Sequence, residues 1–221
     1  MPAASTSPAP QPTASTATGP TAVEAPQAVT IASPVAAHVS TPARPPWRLE
    51  DIPRIIAVQA LVHESASRHG VDADVMNAII WHESKFHTKA RGPGGAAGLM
   101  QLMPLTSKGL AKRMGVAHRP YDPEFNVEAG ALLLSRLLDI FDGDLHLALA
   151  GYGLGRTAVE RRLAAGEPLP DKTERFVAKI ERWASAFATL PCPVGRTRDG
   201  KGACALATAA TSGPHAKTSA K

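Results

Sequence analysis

Two His-Glu-Ser triplets occur in the chain, one within VHES at 62–65 and one within WHES at 81–84. A His-Glu pair on a helix is half of a zinc-hydrolase signature, which needs His-Glu-x-x-His so that both imidazoles share one helix face. Neither triplet completes it: His82 and His87 are five residues apart, and His63 and His69 are six apart. Five residues is about 500° of helix rotation, so the second ring points elsewhere. The four histidines therefore read as surface or hydrogen-bonded side chains, and zinc hydrolysis is not expected.

The downstream neighbours of each glutamate separate the two. After Glu64 comes SASRHG, an ordinary polar helix end, and Glu64 reads as solvated. After Glu83 comes a loop containing KARGPGGAAG, then LMQLMP. Gly92, Gly94, Gly95 and Gly98 let backbone come close to a ligand. Leu99, Met100, Leu102 and Met103 return an apolar wall to the helix end. A glutamate there, packed by Ile79, Ile80, Phe86 and Met100, is poorly solvated, and it also faces the negative end of the helix dipole. Both effects raise a carboxyl pKa. A raised pKa is what a general acid needs to protonate a glycosidic oxygen near neutral pH.

The elements that hold Glu83 are helical. IPRIIAVQALVHESASRHG places Ile55, Ile56, Gln59, Val62 and Ala66 on one side and ends at Gly70, a left-handed cap position. Asp72 caps a second helix, ADVMNAIIWHESK. Thr106 to Met114 reads as a short helix closed by Gly115. PEFNVEAGALLLSRLLDIF starts at Pro123 and carries Val127, Leu133, Leu134, Leu137, Leu138 and Phe141. GDLHLALAGYG and TAVERRLAAG are two short helices. DKTERFVAKIERWASAF is the last, with Phe176, Val177, Ile180 and Trp183 on one face. Alternating strand patterns are absent, apart from a small hairpin near 92–102. The expected fold is therefore one all-α globular domain over 47–190. It is preceded by a disordered Ala/Pro/Ser/Thr-rich leader or linker (1–46) and followed by a flexible tail (191–221).

The net charge of +5 over 221 residues suits an anionic partner such as nucleic acid, a membrane surface or a cell-wall polymer. Without Lys/Arg runs or base-stacking aromatics, nucleic acid is not expected. No segment is long and apolar enough to span a bilayer. The N-terminus lacks the basic start and apolar run of a signal peptide. Cys192 and Cys204 are placed either to close a small disulfide loop or to remain two free thiols.

The segment E-S-K-F followed by G-A-A-G-L-M-Q-L-M-P closely resembles the signature of soluble lytic transglycosylases and their goose-type lysozyme relatives. The resemblance continues through NVEAGALLLSRLLDIF, through ALAGYGLGRTAV (family A-x-A-Y-N-A-G) and through LPDKTERFVAKI (family P-x-E-T-x-x-Y-V). It covers about Ile55 to Trp183. It implies a lysozyme-like fold and cleavage of the β-1,4 bond between N-acetylmuramic acid and N-acetylglucosamine in peptidoglycan. It implies Glu83 as the sole catalytic acid/base. It also implies Gly98, Met100, Gln101, Met103 and Tyr152 as substrate-binding residues, with Met103 open to a core role instead and Asn126 an N-cap. No cofactor or metal is implied. The partners expected are peptidoglycan glycan strands and a secretion-system component, and the protein is expected to be a monomer. The substrate places it in the periplasm or outside the cell. The Ser/Pro/Thr-rich leader resembles type III export signals.

Three positions depart from the family pattern. Gly92 replaces a serine, Gly153 replaces the asparagine after the tyrosine, and Lys172 replaces a glutamate. Lys172 is placed to pair with Glu83, with Glu174 or Asp171 as substitutes in the cleft. Asp122, Glu124 and Glu128 are the candidates for a second carboxylate. These features leave two alternatives to a lytic transglycosylase: a hydrolytic muramidase, or a degenerate domain that binds peptidoglycan without cutting it.

Overall fold

The computed structural model describes residues 44–192, 196–198 and 204–206. The leader up to residue 43 lies outside the described residues. Among the described residues there are two 3-10 turns, Leu49–Asp51 and Pro93–Gly95, and seven α-helices: α1 (Ile52–His69), α2 (Ala73–Ser84), α3 (Pro104–Met114), α4 (Pro123–Ile140), α5 (Leu145–Leu154), α6 (Arg156–Ala164) and α7 (Asp171–Phe187). Two three-residue strands, β1 (Arg196–Arg198) and β2 (Cys204–Leu206), pair antiparallel within the segment expected to be a flexible tail. Cys192 is disulfide-bonded, which decides between the two cysteine readings. Among the described residues no helix is long and apolar enough to cross a membrane.

The helix starts follow from local chemistry. Asp72 accepts from the Asp74 and Val75 amides at 2.7 and 3.0 Å, and Asp122 accepts from Glu124 and Phe125 at 2.9 and 3.2 Å. Asp144 accepts from Leu147 at 2.9 Å. Each carboxylate satisfies amides that a helix start leaves without partners and sits at the positive end of the dipole. α3 begins two residues before the expected Thr106, because Pro104 supplies a ready-made first helical residue.

α2 is the central helix, with every residue from Ala73 to Trp81 buried. A helix buried on all sides must be surrounded, and α2 packs mainly on α7 and also on α1. α4 closes the other side of α1 and carries α3 and α5. The expected inner face of α1 needs one correction. Ile55, Gln59, Val62 and Ala66 are buried, but Ile56 is 65% exposed. Adjacent helix residues lie about 100° apart, and the buried stripe of α1, which runs through Ile55, Val58, Gln59, Val62 and Ala66, leaves Ile56 on the outer side. Inside, Gln59 and Asn77 exchange a reciprocal pair of amide hydrogen bonds at 2.9 and 3.1 Å, tying α1 to α2.

Candidate active site

Glu83 sits in the last turn of α2, and the chain leaves the helix immediately after it. Lys85 and Phe86 are two consecutive non-glycine residues in the left-handed region, with φ of 52° and 63°. Such a pair is costly for L-residues, so surrounding contacts must hold it. The Phe86 ring is buried against Trp81 and Phe187. The Lys85 ammonium lies 4.7 Å over the Trp81 ring and donates to the Trp81 carbonyl at 2.7 Å. The chain then folds under the helix end and returns along a short antiparallel ladder, Arg91 to Ala97 and Ala97 to Leu102. This is the small hairpin expected near 92–102.

Asn126 locks that return. Its Oδ1 accepts from the Met100 amide at 2.7 Å, and its Nδ2 donates to the Ala97 and Pro120 carbonyls at 2.9 and 2.8 Å. It is fully buried and is not the N-cap; Asp122 holds that position. The signal was present in the sequence, since Asp-Pro opening a helix is the stronger cap pattern. From α5, the Tyr152 hydroxyl donates to the Met100 carbonyl at 2.7 Å.

The five residues implied as substrate-binding separate into structural and exposed groups. Met100 is fully buried, and its sulfur fills the space over Gly130, where an added Cβ would meet it at 2.0 Å. Its side chain therefore packs the core rather than lining a cleft. Gly98 is buried at φ 77°, and a Cβ there would meet the Asn126 amide at 2.4 Å and the Pro120 carbonyl at 2.5 Å. The glycine thus permits a close backbone approach to protein rather than to ligand. Gln101 donates to the Ala90 and Gly98 carbonyls at 3.1 and 2.9 Å, and its Oε1 stands where a side chain on Gly92 would begin. Met103 is 46% exposed, which removes the core alternative. Tyr152 stands close enough for the charge of Glu83 to raise its pKa, after burial as the first cause, so it is a phenol at neutral pH.

Glu83 opens on a cavity of about 740 Å³ between α2, α5 and α7. Its walls include His82, Gly153, Phe176 and the basic side chains of α7, but none of the five residues just described. Burial raises the Glu83 pKa to about 7, opposed in part by the Lys85 charge. His82 Nδ1 lies 3.6 Å from Glu83 Oε1, too far for a hydrogen bond. That nitrogen is buried with no hydrogen-bond partner among the described residues, which departs from the expected surface or satisfied histidine. Its ring meets the Phe176 ring edge-on at 4.9 Å and lies 6.0 Å from Trp183. Burial first, then Lys85 and Lys179, push the His82 pKa down to about 4, so it is neutral near pH 7.

The other carboxylates are engaged elsewhere. Glu128 accepts from Ser65 and pairs with His69 and Arg68 on the α1 side. Glu174 pairs with His146 at 3.1 Å, and Asp171 lies 4.0 Å from Arg175 at the surface. Asp122 is a cap, and Glu124 is exposed. Among the described residues, no carboxylate besides Glu83 lines the cavity. Lys172 lines it, but no Lys172–Glu83 ion pair forms among the described residues, and Lys85 is the cation that acts on Glu83.

The transglycosylase SLT domain profile matches residues 60–173, just over half of the chain. The chain belongs to this family. It is 37% identical over 108 residues to the membrane-bound lytic murein transglycosylase F of Desulfosudis oleivorans, covering 46% of this chain and 23% of that protein. It is 33% identical over 97 residues to the peptidoglycan transglycosylase gp16 of Escherichia phage T7, covering 43% and 7%. Among solved structures, an inactive Glu-to-Gln mutant of the lytic transglycosylase Slt from Pseudomonas aeruginosa superposes with a TM-score of 0.54 at 30% identity, covering 61% of this chain and 24% of that one. The 70 kDa soluble lytic transglycosylase of Escherichia coli gives 0.52 at 26%, covering 57% and 23%. The SLT fold is thus the all-α, lysozyme-like domain expected, and it spans a quarter or less of each of these relatives.

Proposed function

We propose that the chain is a peptidoglycan lytic transglycosylase with Glu83 as its single acid/base. One observation carries this reading: a lone carboxyl group, raised to a pKa of about 7, at the wall of a cavity lined by no second carboxylate among the described residues. Most glycosidases set two carboxylates across the scissile bond. A site with one must use it twice and draw the second group from the substrate.

In the first step, protonated Glu83 gives its proton to the glycosidic oxygen between N-acetylmuramic acid and N-acetylglucosamine. The C1–O bond breaks, and the substrate's own N-acetyl oxygen stabilises the cationic C1. Glu83, now a carboxylate, takes the proton of the muramic C6 hydroxyl. O6 attacks C1 and closes the 1,6-anhydro ring, and Glu83 is again protonated. A pKa near the working pH serves both half-reactions. Neutral His82 adds no opposing charge, and Tyr152 holds the Met100 backbone beside the acid. Gln101 and the exposed Met103 border the glycan path, while Gly98 and Met100 act through the backbone. The inactivating Glu-to-Gln change in the Pseudomonas Slt agrees with a single essential glutamate.

The substrate sets the place of action in the wall compartment, the periplasm or beyond. The Ala/Pro/Ser/Thr-rich composition of residues 1–46 supports service to a secretion apparatus. Purified sacculi, incubated with the wild-type chain and with Glu83→Gln and analysed by mass spectrometry, test the reaction. Anhydro-muropeptides from the wild type alone are expected. Reducing-end products, one water heavier, would identify a hydrolytic muramidase. Retained binding without products would identify a wall-binding domain.

A further inference from the structure

The polar groups gathered around Glu83 are committed to other partners, with one exception. The Lys85 ammonium donates to the Trp81 carbonyl at 2.7 Å, and the Tyr152 hydroxyl donates to the Met100 carbonyl at 2.7 Å. The exception is His82 Nδ1, which is buried, has no hydrogen-bond partner among the described residues and lies 3.6 Å from Glu83 Oε1. A buried nitrogen left unpaired is destabilising, so its place beside the acid calls for a reason.

The His82 ring is held where it stands. Phe176 of α7 meets it edge-on at 4.9 Å, and Trp183, further along α7, lies 6.0 Å away. Phe176 is in turn seated by Gly153 of α5, where an added Cβ would meet its Cδ1 and Cε1 at 3.1 Å. The side chain missing at Gly153, one of the departures from the family pattern, thus makes room for the ring that braces His82. The carboxyl is the partner that can move. The terminal torsion of a glutamate is broad, and a turn that brings Oε1 closer by about 0.7 Å makes an ordinary N–H···O bond.

The charges around the pair are cations: Lys85 from the loop after α2 and Lys179 from α7, with Lys172, Arg175 and Arg182 on the same cavity wall. From α5, Tyr152 remains a neutral phenol. Burial and the two lysines keep His82 neutral through the range near pH 7 in which Glu83 ionises. A neutral imidazole carries one ring proton, and a neighbouring carboxylate favours it on the nitrogen that faces the charge. While Glu83 holds its proton, Nδ1–H gains little from it. Once the proton leaves, Nδ1–H meets a buried anion, and hydrogen bonds to charged groups are the stronger kind. The contact therefore distinguishes two states of the acid, which is the condition for speeding a step.

We infer that His82 is a positioning residue for Glu83: its Nδ1–H captures Oε1 as the carboxyl gives up its proton, leaving Oε2 to exchange protons with the substrate. The imidazole proton stays on Nδ1 throughout, so Glu83 remains the group that transfers a proton. The inference rests on the single-carboxyl reaction proposed above, but the contact itself can be read without turnover.

Nitrogen-15 NMR of the imidazole in the full chain gives that reading. His82 Nδ1 should be the protonated nitrogen above pH 7, its shift should follow the ionisation of Glu83 with a midpoint of about 7, and this change should vanish in Glu83→Gln. A bare Nδ1 above pH 7, or a shift indifferent to Glu83, overturns the inference. Muropeptide release then separates positioning from packing. His82→Phe keeps a ring against Phe176 and Trp183 but removes the donor, and should lower kcat about tenfold with KM little changed. Without the donor the carboxylate is harder to form, so Glu83 binds its proton more tightly. The alkaline limb of the kcat/KM profile should therefore move up by about one pH unit. His82→Asn places an amide donor near the Nδ1 position and should recover most of the rate. A limb that stays or moves down, or a His82→Asn variant as slow as His82→Phe, overturns the positioning role. If the wild type releases no muropeptides while the NMR coupling holds, the donor to Glu83 stands and the lyase reading alone falls.

Discussion

At the scale of single residues, Glu83 carries both the proposed chemistry and a pH response. In the proposed reaction it is the sole acid/base, so its replacement by glutamine should lower the rate of muropeptide release at least about a hundredfold. The same residue shapes stability, with a sign that can be worked out. Its carboxyl binds a proton more tightly folded, with a pKa of about 7, than unfolded, at 4.5. Folding stability therefore declines as pH rises from about 4.5 through 7, because ionising the buried group costs free energy. Glu83→Gln removes that penalty. The variant should match the wild type below pH 4.5 and exceed it above pH 7, by up to about 3 kcal/mol. Urea denaturation across this range measures the gap, and a gap independent of pH would refute the assigned burial. His82 acts on the other limb. Its folded pKa of about 4 lies below its ordinary 6.5, so stability should also fall as pH drops from 6.5 toward 4.

At the scale of elements, the loop after α2 stays in place because α4 and α5 hold its backbone. Asn126 satisfies one amide and two carbonyls from inside the protein. Asn126→Ala leaves those groups unpaired and should cost about 2–4 kcal/mol, seen as a lower denaturation midpoint together with lost activity. Tyr152→Phe removes a single buried donor to Met100, and a loss of about 1 kcal/mol is expected. Gly92 bears on one of the three departures from the family pattern. A serine restored there would place its Cβ 2.2 Å from Gln101 Oε1. Gly92→Ser should therefore displace the Gln101 amide and lower muropeptide release rather than raise it. A more active Gly92→Ser would show that Gln101 gives way freely.

At the scale of the whole molecule, an aromatic clamp closes the domain. Trp47, ahead of α1, packs on Phe187 at the end of α7, with ring centres 4.2 Å apart, and meets Trp81 of α2 edge-on at 6.2 Å. Both chain ends of the domain thus converge on the helix that carries Glu83. Trp47→Ala should cost about 2–4 kcal/mol, and a fragment beginning at residue 52 should melt well below one beginning at residue 44. Equal melting temperatures would exclude the clamp from the folding unit. The domain is therefore bounded by ring packing rather than by the first helical residue.

How far the sequence alone determined this protein depends on the range of the forces involved. Helix positions were legible because caps, glycine stops and 3.6-residue periodicity are local, as Asp72, Gly70 and Gly115 illustrate. The raised pKa of Glu83 was legible because a glutamate followed by a glycine-rich return and an apolar wall is a local pattern that signals poor solvation. The roles of Met100, Gly98 and Asn126 depended on which helix lies across the loop, and only the packing of α4 turned expected substrate contacts and an expected cap into core and lock. The orphaned His82 nitrogen and the cationic wall were likewise decided in three dimensions. Burial and the facing of α7 toward Glu83 are set by contacts between residues far apart in sequence, and desolvation depends on the surroundings a side chain finally acquires.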